Sequence, residues 1–236
     1  MIVSIMQPAY LPWLGYFDRI SRSDLHIVLD SVPLGHQNRT NFTARNRIRT
    51  SSGATWLTVP LQRGSDSVAI NQVAIADIPT WSRKHWETLR HAYSKAAHWH
   101  TVESTLSACY SQQFSALAPL LQATTSPLLS QLGIVTPMVS ASTLLVRGAK
   151  SDLILALCQA VGATTYLSGP FGRDYLNVET FSRANIEIEF HDYLHPTYLQ
   201  GAAAEFIPYL SVVDLLAHHG ADSAAIFAST PLVTRL

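Results

Sequence analysis

The chain has 236 residues, of which 47% are hydrophobic and 14% charged, and its 16 basic residues equal its 16 acidic residues. This composition predicts a well-cored globular protein, with one large domain favoured over two lobes. The charge balance offers no basic surplus for nucleic acid. The start lacks a secretory pattern, and no apolar run reaches the roughly 18 to 20 residues of a membrane helix. We therefore expect a cytoplasmic domain over residues 1–236, with neither nucleic acid nor a membrane as partner.

The first 32 residues predict a strand, a turn, a helix and a second strand. The apolar run IVSIMQ is followed by Pro8 and Pro12, which fix a turn. Apolar residues in LGYFDRISRS recur at helical spacing, and LHIVLDSV is again strand-like. These proportions are those of a βαβ unit, and continuously apolar strands favour a parallel sheet.

The remaining elements complete an α/β prediction. Residues 33–52 show no helical or strand period and predict a long loop, after which TWLTVPL and VAINQVAIA predict strands. Residues 79–133 predict a helical insertion or subdomain. Strands in VSASTLL, TYLSG and IEIEFHDY and helices in SDLILALCQAVG and SVVDLLAHHG follow. The expected fold is a mostly parallel, Rossmann-like sheet, which could take a nucleotidyltransferase-like form, with an inserted helical subdomain.

The stretch QPAYLPWLGYF lies at the predicted end of the first strand, where open α/β sheets bind ligands. Gln7 and Tyr10 could donate or accept hydrogen bonds there, with Trp13 and Tyr16 as a wall. An aromatic plug over the sheet end explains the composition equally well. The arrangement resembles that of nucleotidyltransferases, in which a strand leads through a proline turn into a His-x-Gly-His motif. Here WLGY occupies the position of that motif, so the two histidines and their phosphate-stabilising role are absent.

Three further segments carry candidate site residues. In TARNRIR, Arg45 and Asn46 could grip an anionic or sugar-like ligand, although a solvated surface loop has the same composition. Asp30 ends the second strand and is a candidate polar site residue. YLSGPFGRDYL has glycines and a proline after a short strand, which suits a nest-like loop near an anion.

Histidine and cysteine chemistry is less specific. Among ten histidines, AHWHTVE holds the one HxH spacing, and structural or surface roles are favoured over metal binding there. HDYLHPTYLQ follows a predicted strand, so His195 could act as a general acid or base, although a His-Pro turn is more often structural. Cys109 and Cys158 lie in apolar, helix-like segments and predict buried thiols. We predict neither a metal site nor a cofactor.

Taken in order over residues 7–220, these motifs resemble the WbqC-like protein family. The resemblance implies a bacterial cytoplasmic protein associated with O-antigen or other polysaccharide gene clusters, or with small-molecule biosynthesis. It also implies a transferase-like role on an amino sugar or related metabolite. The positions that match the family's motifs are Gln7, Pro8, Tyr10, Pro12, Trp13, Gly15, Tyr16, Asp30, Arg45, Asn46, Ser168, Gly169, Tyr175, His195, Tyr198, Gln200 and Asp214.

Two functional hypotheses follow. The first is a biosynthetic enzyme that transfers an acyl or aminoacyl group to an amine or hydroxyl of an amino sugar or small metabolite, with an acyl carrier protein as a candidate partner. His36 or His195 would then be the general base and Asp30 an orienting or acidic partner. The substrate would contact Gln7, Tyr10, Trp13, Tyr16, Arg45, Asn46, Ser168, Gly169, Tyr175, Tyr198 and Gln200. The second is a non-catalytic protein that binds a nucleotide sugar, or acts as a scaffold, on a degenerate nucleotidyltransferase-like fold.

Overall fold

A five-stranded sheet organises the chain in the computed structural model, which describes residues 1–34, 42–76, 80–201 and 205–229. In chain order the helices and strands are β1 (Ile2–Met6), α1 (Leu14–Ser21), β2 (Leu25–Val28), β3 (Arg45–Thr50), β4 (Gly53–Thr58), α2 (Trp81–Tyr93), α3 (Trp99–Tyr110), α4 (Leu117–Gln131), β5 (Met138–Ser140), α5 (Lys150–Ala160), β6 (Thr165–Ser168), α6 (Val178–Arg183), β7 (Glu187–Phe190), α7 (Val212–His219) and α8 (Ser223–Ala228).

The strand order of the sheet is β5-β2-β1-β6-β7, and every neighbouring pair is parallel. The prediction of a mostly parallel α/β sheet is therefore confirmed. The chain builds outward from β1 through β2 to β5, and then returns to the other side of β1 for β6 and β7. The order reverses between β1 and β6, and such a reversal opens a crevice at the carboxyl ends of the two strands.

Two apolar cores cover the sheet. Met6 of β1 belongs to a core with Phe17 of α1, Leu89 of α2 and Leu216 of α7. Val3, on the opposite face of β1, belongs to a second core that α5 and α6 complete. Residues alternate between the two faces because side chains of a strand point to opposite sides. The helices α2, α3 and α4 thus contribute to the same core as α1 and α7, and their division into a subdomain stays a prediction.

The loop predicted over residues 33–52 is wrong in its second half, where Arg45–Thr50 forms β3 and pairs with β4 in a hairpin. Asn46 and Ile48 are buried on one face of β3, while the arginines at 45, 47 and 49 are more exposed on the other. The alternation of apolar and polar residues that marks a strand was not visible in the sequence, because a polar residue, Asn46, occupies an inward position. Its amide is satisfied there, donating to the Leu11 carbonyl at 2.8 Å and accepting from the Arg47 N–H at 2.8 Å.

The strand predicted in VAINQVAIA is also wrong. Ile70–Gln72 forms a single 3₁₀ turn, whose backbone N–H groups at 70 and 71 donate to the carbonyls of Val32 and Asp30. Because these partners lie in the irregular segment after β2, no regular ladder can form. The segment VSASTLL is a strand only at its start. Its chain then turns where the Ser142 N–H and hydroxyl donate to the Asp30 carboxylate.

Among the residues with described positions, no helix combines the length and apolar character that crossing a bilayer requires.

His26 of β2 is a buried, neutral histidine within the sheet. Its Nδ1 lies 2.8 Å from the Ser4 hydroxyl on β1, and its Nε2 is buried with no hydrogen-bond partner in the described ranges. Burial, and then the nearby Arg19 charge, lower the pKa of His26 to about 3. Burial likewise lowers the pKa of His85 to about 4.

We expect His26→Gln to flatten the pH dependence of folding. Between pH 6.5 and the folded-state value the unfolded chain binds a proton at His26 and the folded chain does not, so acid favours unfolding. This group alone adds a slope of about 1.4 kcal/mol per pH unit. Urea denaturation from pH 4 to 7 measures the slope, which His85 keeps above zero in the variant. Equal slopes for His26→Gln and the wild type would contradict the assignment.

Candidate functional site

A cavity of about 990 Å³ lies over the carboxyl ends of β1, β6 and β7, beside α1. We call it the switch-point cavity because it opens where the strand order reverses. Its lining includes Trp13, Arg19, Ser168, Gly169, His191 and Tyr193. The volume falls within the usual range for sites that hold a small molecule or cofactor, about 300–1,000 Å³. The cavity is therefore a candidate ligand-binding site.

The turn between β1 and α1 positions the side chains that α1 contributes. Leu11 has φ 43°, a left-handed conformation that L residues with a side chain adopt at a cost. Three contacts hold the turn: Asn46 donates to the Leu11 carbonyl, Tyr10 N–H donates to the Phe42 carbonyl, and Trp13 bridges to Ser211. The direction of α1 is thus fixed by partners from two other segments, the start of the β3–β4 hairpin and the chain before α7.

Gly15 lets the Trp13 ring fold back over α1. A Cβ at residue 15 would lie 2.2 Å from Cζ3 of Trp13 and 2.9 Å from Cδ1 of Tyr193, which is too close for any side chain. The Trp13 ring also meets Tyr193 and Tyr209 edge-on, with ring centroids 5.2 and 5.5 Å away. Trp13, Tyr193 and Tyr209 thus form one aromatic wall of the switch-point cavity, and Gly15 leaves the space that the Trp13 ring occupies.

Arg19 brings a positive charge to the floor of the cavity. Its Nε atom is buried without a hydrogen-bond partner, and its side chain makes no ion pair within the described ranges. The guanidinium lies against the backbone after β6, since a Cβ on Gly169 would come within 2.6 Å of Nη1. Burial lowers the pKa of Arg19, and the groups that oppose this are the tyrosines Tyr166, Tyr16 and Tyr175 rather than carboxylates.

The other charges near the cavity are paired. Arg173 on the rim forms two contacts of 3.2 Å with the Asp192 carboxylate. Arg22 donates from Nε to Asp18 at 2.7 Å. Asp192 is the acidic residue of the described cavity lining, and Arg173 already neutralises it. Arg19 is left as an uncompensated positive charge, so the cavity favours an anion.

His191 and Asp18 form a buried pair at the edge of the cavity. His191 follows β7, and its N–H donates to the Ser168 carbonyl at 2.8 Å, which fixes the backbone. Its Nε2 lies 2.5 Å from Oδ2 of Asp18. Burial alone would raise the pKa of Asp18, but the hydrogen bonds from His191 and Arg22 outweigh it and hold that pKa below its usual range.

The pairing leaves one imidazole nitrogen for chemistry. With Nε2–H donated to Asp18, Nδ1 of His191 has no hydrogen-bond partner among the described residues. A histidine oriented in this way by a carboxylate can accept a proton from a bound nucleophile. In the described part of the chain no three His, Cys, Asp or Glu side chains cluster closely enough to hold a metal ion.

Several predicted site residues meet at this cavity. Trp13, Ser168, Gly169 and Tyr175 line it. His195 lies behind the aromatic wall, with ring centroids 5.8 Å from Tyr193 and 5.1 Å from Tyr209.

One ring nitrogen of His195 is engaged and the other is not. Its Nδ1 lies 2.8 Å from the Pro196 carbonyl, and its buried Nε2 has no partner within the described ranges. Burial lowers the pKa of His195, although the contact with Pro196 opposes this.

Tyr16 and Asp30 lie elsewhere, in a second cavity of about 410 Å³ under α4. Both carboxylate oxygens of Asp30 are taken by Ser142, one by its N–H at 2.9 Å and one by its hydroxyl at 2.7 Å. Tyr10 is fully buried, and its hydroxyl bonds to Tyr110 and to Nδ1 of His85.

The remaining predicted residues support backbone or surface structure. Gln7, after β1, accepts a long hydrogen bond of 3.4 Å from Thr43. Arg45 lies over the Trp56 ring, 4.5 Å from its centroid. Gln200 accepts from Arg49 and from the Ile207 N–H, and so closes the turn after residue 200.

Two positions complete the predicted set. Tyr198 is buried, and burial followed by the charge of nearby Asp214 raises its pKa. His36 lies outside the described residues.

Asp18, Arg19 and His191 were not among the residues predicted from the sequence. The available signal was positional, because His191 directly follows the predicted strand IEIEF and so had to lie at the ligand-binding edge of the sheet. Asp18 and Arg19 gave no comparable signal, since an Asp-Arg pair on a short helix usually faces solvent.

Comparisons with known proteins confirm the resemblance to the family. The family model described as "WbqC-like protein family" matches residues 7–226. The uncharacterized protein Rv1507c of Mycobacterium tuberculosis is 33% identical over 223 residues, which cover 94% of this chain and 95% of that protein. No solved structure matches the chain with significance.

We expect Gly15→Ala to destabilise the fold by about 1–3 kcal/mol, because the new methyl group displaces the Trp13 ring from the wall. Urea denaturation followed by tryptophan fluorescence measures the loss. In a Trp13→Ala background the same change should cost less, since the principal clash is gone. An equal cost in both backgrounds would show that Trp13 is not the group displaced.

Proposed function

The chain belongs to the WbqC-like protein family, and from that premise we propose that it is a group-transfer enzyme whose active site is the switch-point cavity. The group is an acyl or aminoacyl group, and the acceptor is an amine or hydroxyl of an amino sugar or related small metabolite. One observation carries the proposal: a histidine held by a buried carboxylate shares a cavity with an uncompensated arginine.

His191 is the proposed general base. The acceptor amine or hydroxyl attacks the carbonyl carbon of an acyl thioester or ester and gives its proton to Nδ1 of His191. The new C–N or C–O bond forms as the bond to the leaving sulfur or oxygen breaks, and the leaving group takes the proton from His191. Asp18 holds the Nε2–H side of the ring and stabilises the imidazolium that exists between these two transfers.

The surroundings support His191 for this role more directly than the histidine and carboxylate expected from sequence. His191 itself lines the cavity, whereas His195 is separated from it by Tyr193 and Tyr209. Asp30 is fully engaged by Ser142, and it lines the other cavity. Neither cysteine is suited to act as a nucleophile, because Cys109 and Cys158 are buried and burial raises the pKa of both thiols. Direct transfer is therefore favoured over a covalent intermediate.

An activity screen tests the proposal. Acyl thioesters, both free and on an acyl carrier protein, are paired with amino sugars and sugar nucleotides, and thiol release is measured with product detection by mass spectrometry. Once an active pair is found, we expect His191→Gln to lower kcat by about 10²- to 10⁴-fold with little change in KM. Asp18→Asn should lower kcat less, because it only misorients the ring.

The matched control is His195→Gln, which should keep kcat within about tenfold of the wild type. Wild-type kcat in His191→Gln would remove the base assignment. Binding of a ligand without turnover across all donor and acceptor pairs would instead favour a non-catalytic protein that holds a nucleotide sugar or serves as a scaffold.

A further inference from the structure

We propose that Arg19 binds a phosphoryl group of a nucleotide-type ligand in the switch-point cavity. The inference deepens the proposed function by naming the chemical class of its ligand. It concerns binding alone, so it can hold even if no transfer reaction is found.

The positive charge of Arg19 is isolated from the other charged groups of the described chain. A buried cation is costly unless a carboxylate or several hydrogen bonds compensate it. Within the described residues the guanidinium has neither, while Arg22 and Arg173 nearby are each paired with an aspartate. An anion from outside the protein is the partner that would complete the site. Arginine is suited to this task, since its planar fork binds phosphate through two parallel hydrogen bonds.

The Arg19 guanidinium lies where phosphate groups bind in sheets of this kind. Its Nη1 is against Gly169, directly after β6, at the point where the strand order reverses. In sheets of this kind phosphate groups of nucleotides bind in that crevice. Gly169 matters because any Cβ there would push the guanidinium out of its position. The residue expected from sequence to approach an anion thus contributes through its lack of a side chain.

The size and the aromatic rim of the cavity fit a nucleotide better than a small carboxylate. A cavity of about 990 Å³ is much larger than one carboxylate needs. Its rim presents Phe171 and Tyr175, which are 68% and 44% exposed, as aromatic surfaces. Exposed aromatic rings beside a basic group are the pattern on which nucleobases stack. A phosphate on Arg19 and a base at the rim would use both ends of the cavity.

Two sources share this chemistry. A sugar nucleotide acceptor and a coenzyme A thioester donor both contain a nucleoside diphosphate group. The experiment therefore uses separate ligands: UDP for the first source, coenzyme A for the second, and ADP, adenosine, uridine and inorganic phosphate as probes of the parts. Isothermal titration at a fixed, low salt concentration measures each affinity.

We expect at least one of UDP, ADP and coenzyme A to bind the wild-type chain more tightly than its nucleoside. Arg19→Met should weaken that binding by about 10- to 100-fold, the loss typical of a charged hydrogen-bonding partner. The matched control is the double variant Arg173→Met/Asp192→Asn, which removes the paired charges from the same cavity without changing its net charge. It should change the affinity less than about threefold. Gly169→Ala keeps the charge and should still weaken binding, because it displaces the guanidinium.

A thermal melt of the ligand-free proteins separates a binding role from a structural one. Arg19→Met removes an uncompensated, partly buried charge, so its Tm should equal or exceed that of the wild type while its ligand-induced rise in Tm is lost. A clearly lower Tm for ligand-free Arg19→Met would make Arg19 a structural residue and overturn the inference. Nucleosides that bind as tightly as nucleotides, or equal affinities for wild type and Arg19→Met, would also overturn it. Nucleotide binding without turnover would leave it standing and count against the enzyme.

Discussion

The turn between β1 and α1 is the constraint on which the site depends. Leu11 is held in a left-handed conformation, and the buried Asn46 amide satisfies its carbonyl from the β3–β4 hairpin. A change in this turn would rotate or shift α1, which carries Asp18 and Arg19 to the same edge of the sheet. Tyr10 anchors the turn below through its hydroxyl bonds in the core. Residues that do not touch the cavity therefore decide its chemistry.

Charge is distributed unevenly along α1, and this asymmetry gives the site its character. Asp18 accepts hydrogen bonds from both Arg22 and His191, so its negative charge is used within the protein. The adjacent Arg19 has no such partner in the described ranges and lines the cavity beside Gly169. Two neighbouring residues thus serve opposite purposes. Asp18 pairs internally with His191, and Arg19 is the charge that we propose a ligand neutralises.

The fold was largely predictable from sequence, and the site only in part. Apolar strands and helical spacing predicted the parallel sheet, since burial on both faces leaves a continuous apolar signal. The β3 strand was missed because Asn46, a polar residue, takes an inward position, and no local pattern reveals its distant partner. The cavity wall at Trp13 and the loop at Gly169 were indicated by motifs, but the pairing of Asp18 with His191 joins positions 173 residues apart. Such contacts follow from strand order, which periodicity does not determine.

The central claim is that ligands enter at the reversal of strand order and meet Arg19 there. The most direct test is a crystal structure of the chain soaked with ADPβS, whose sulfur gives an anomalous signal that locates the terminal phosphoryl group. The account predicts that signal in the switch-point cavity, with a phosphoryl oxygen within about 3 Å of the Arg19 guanidinium. A nucleotide bound in the cavity under α4, or at the arginine-rich face of the β3–β4 hairpin with the switch-point cavity empty, would contradict it.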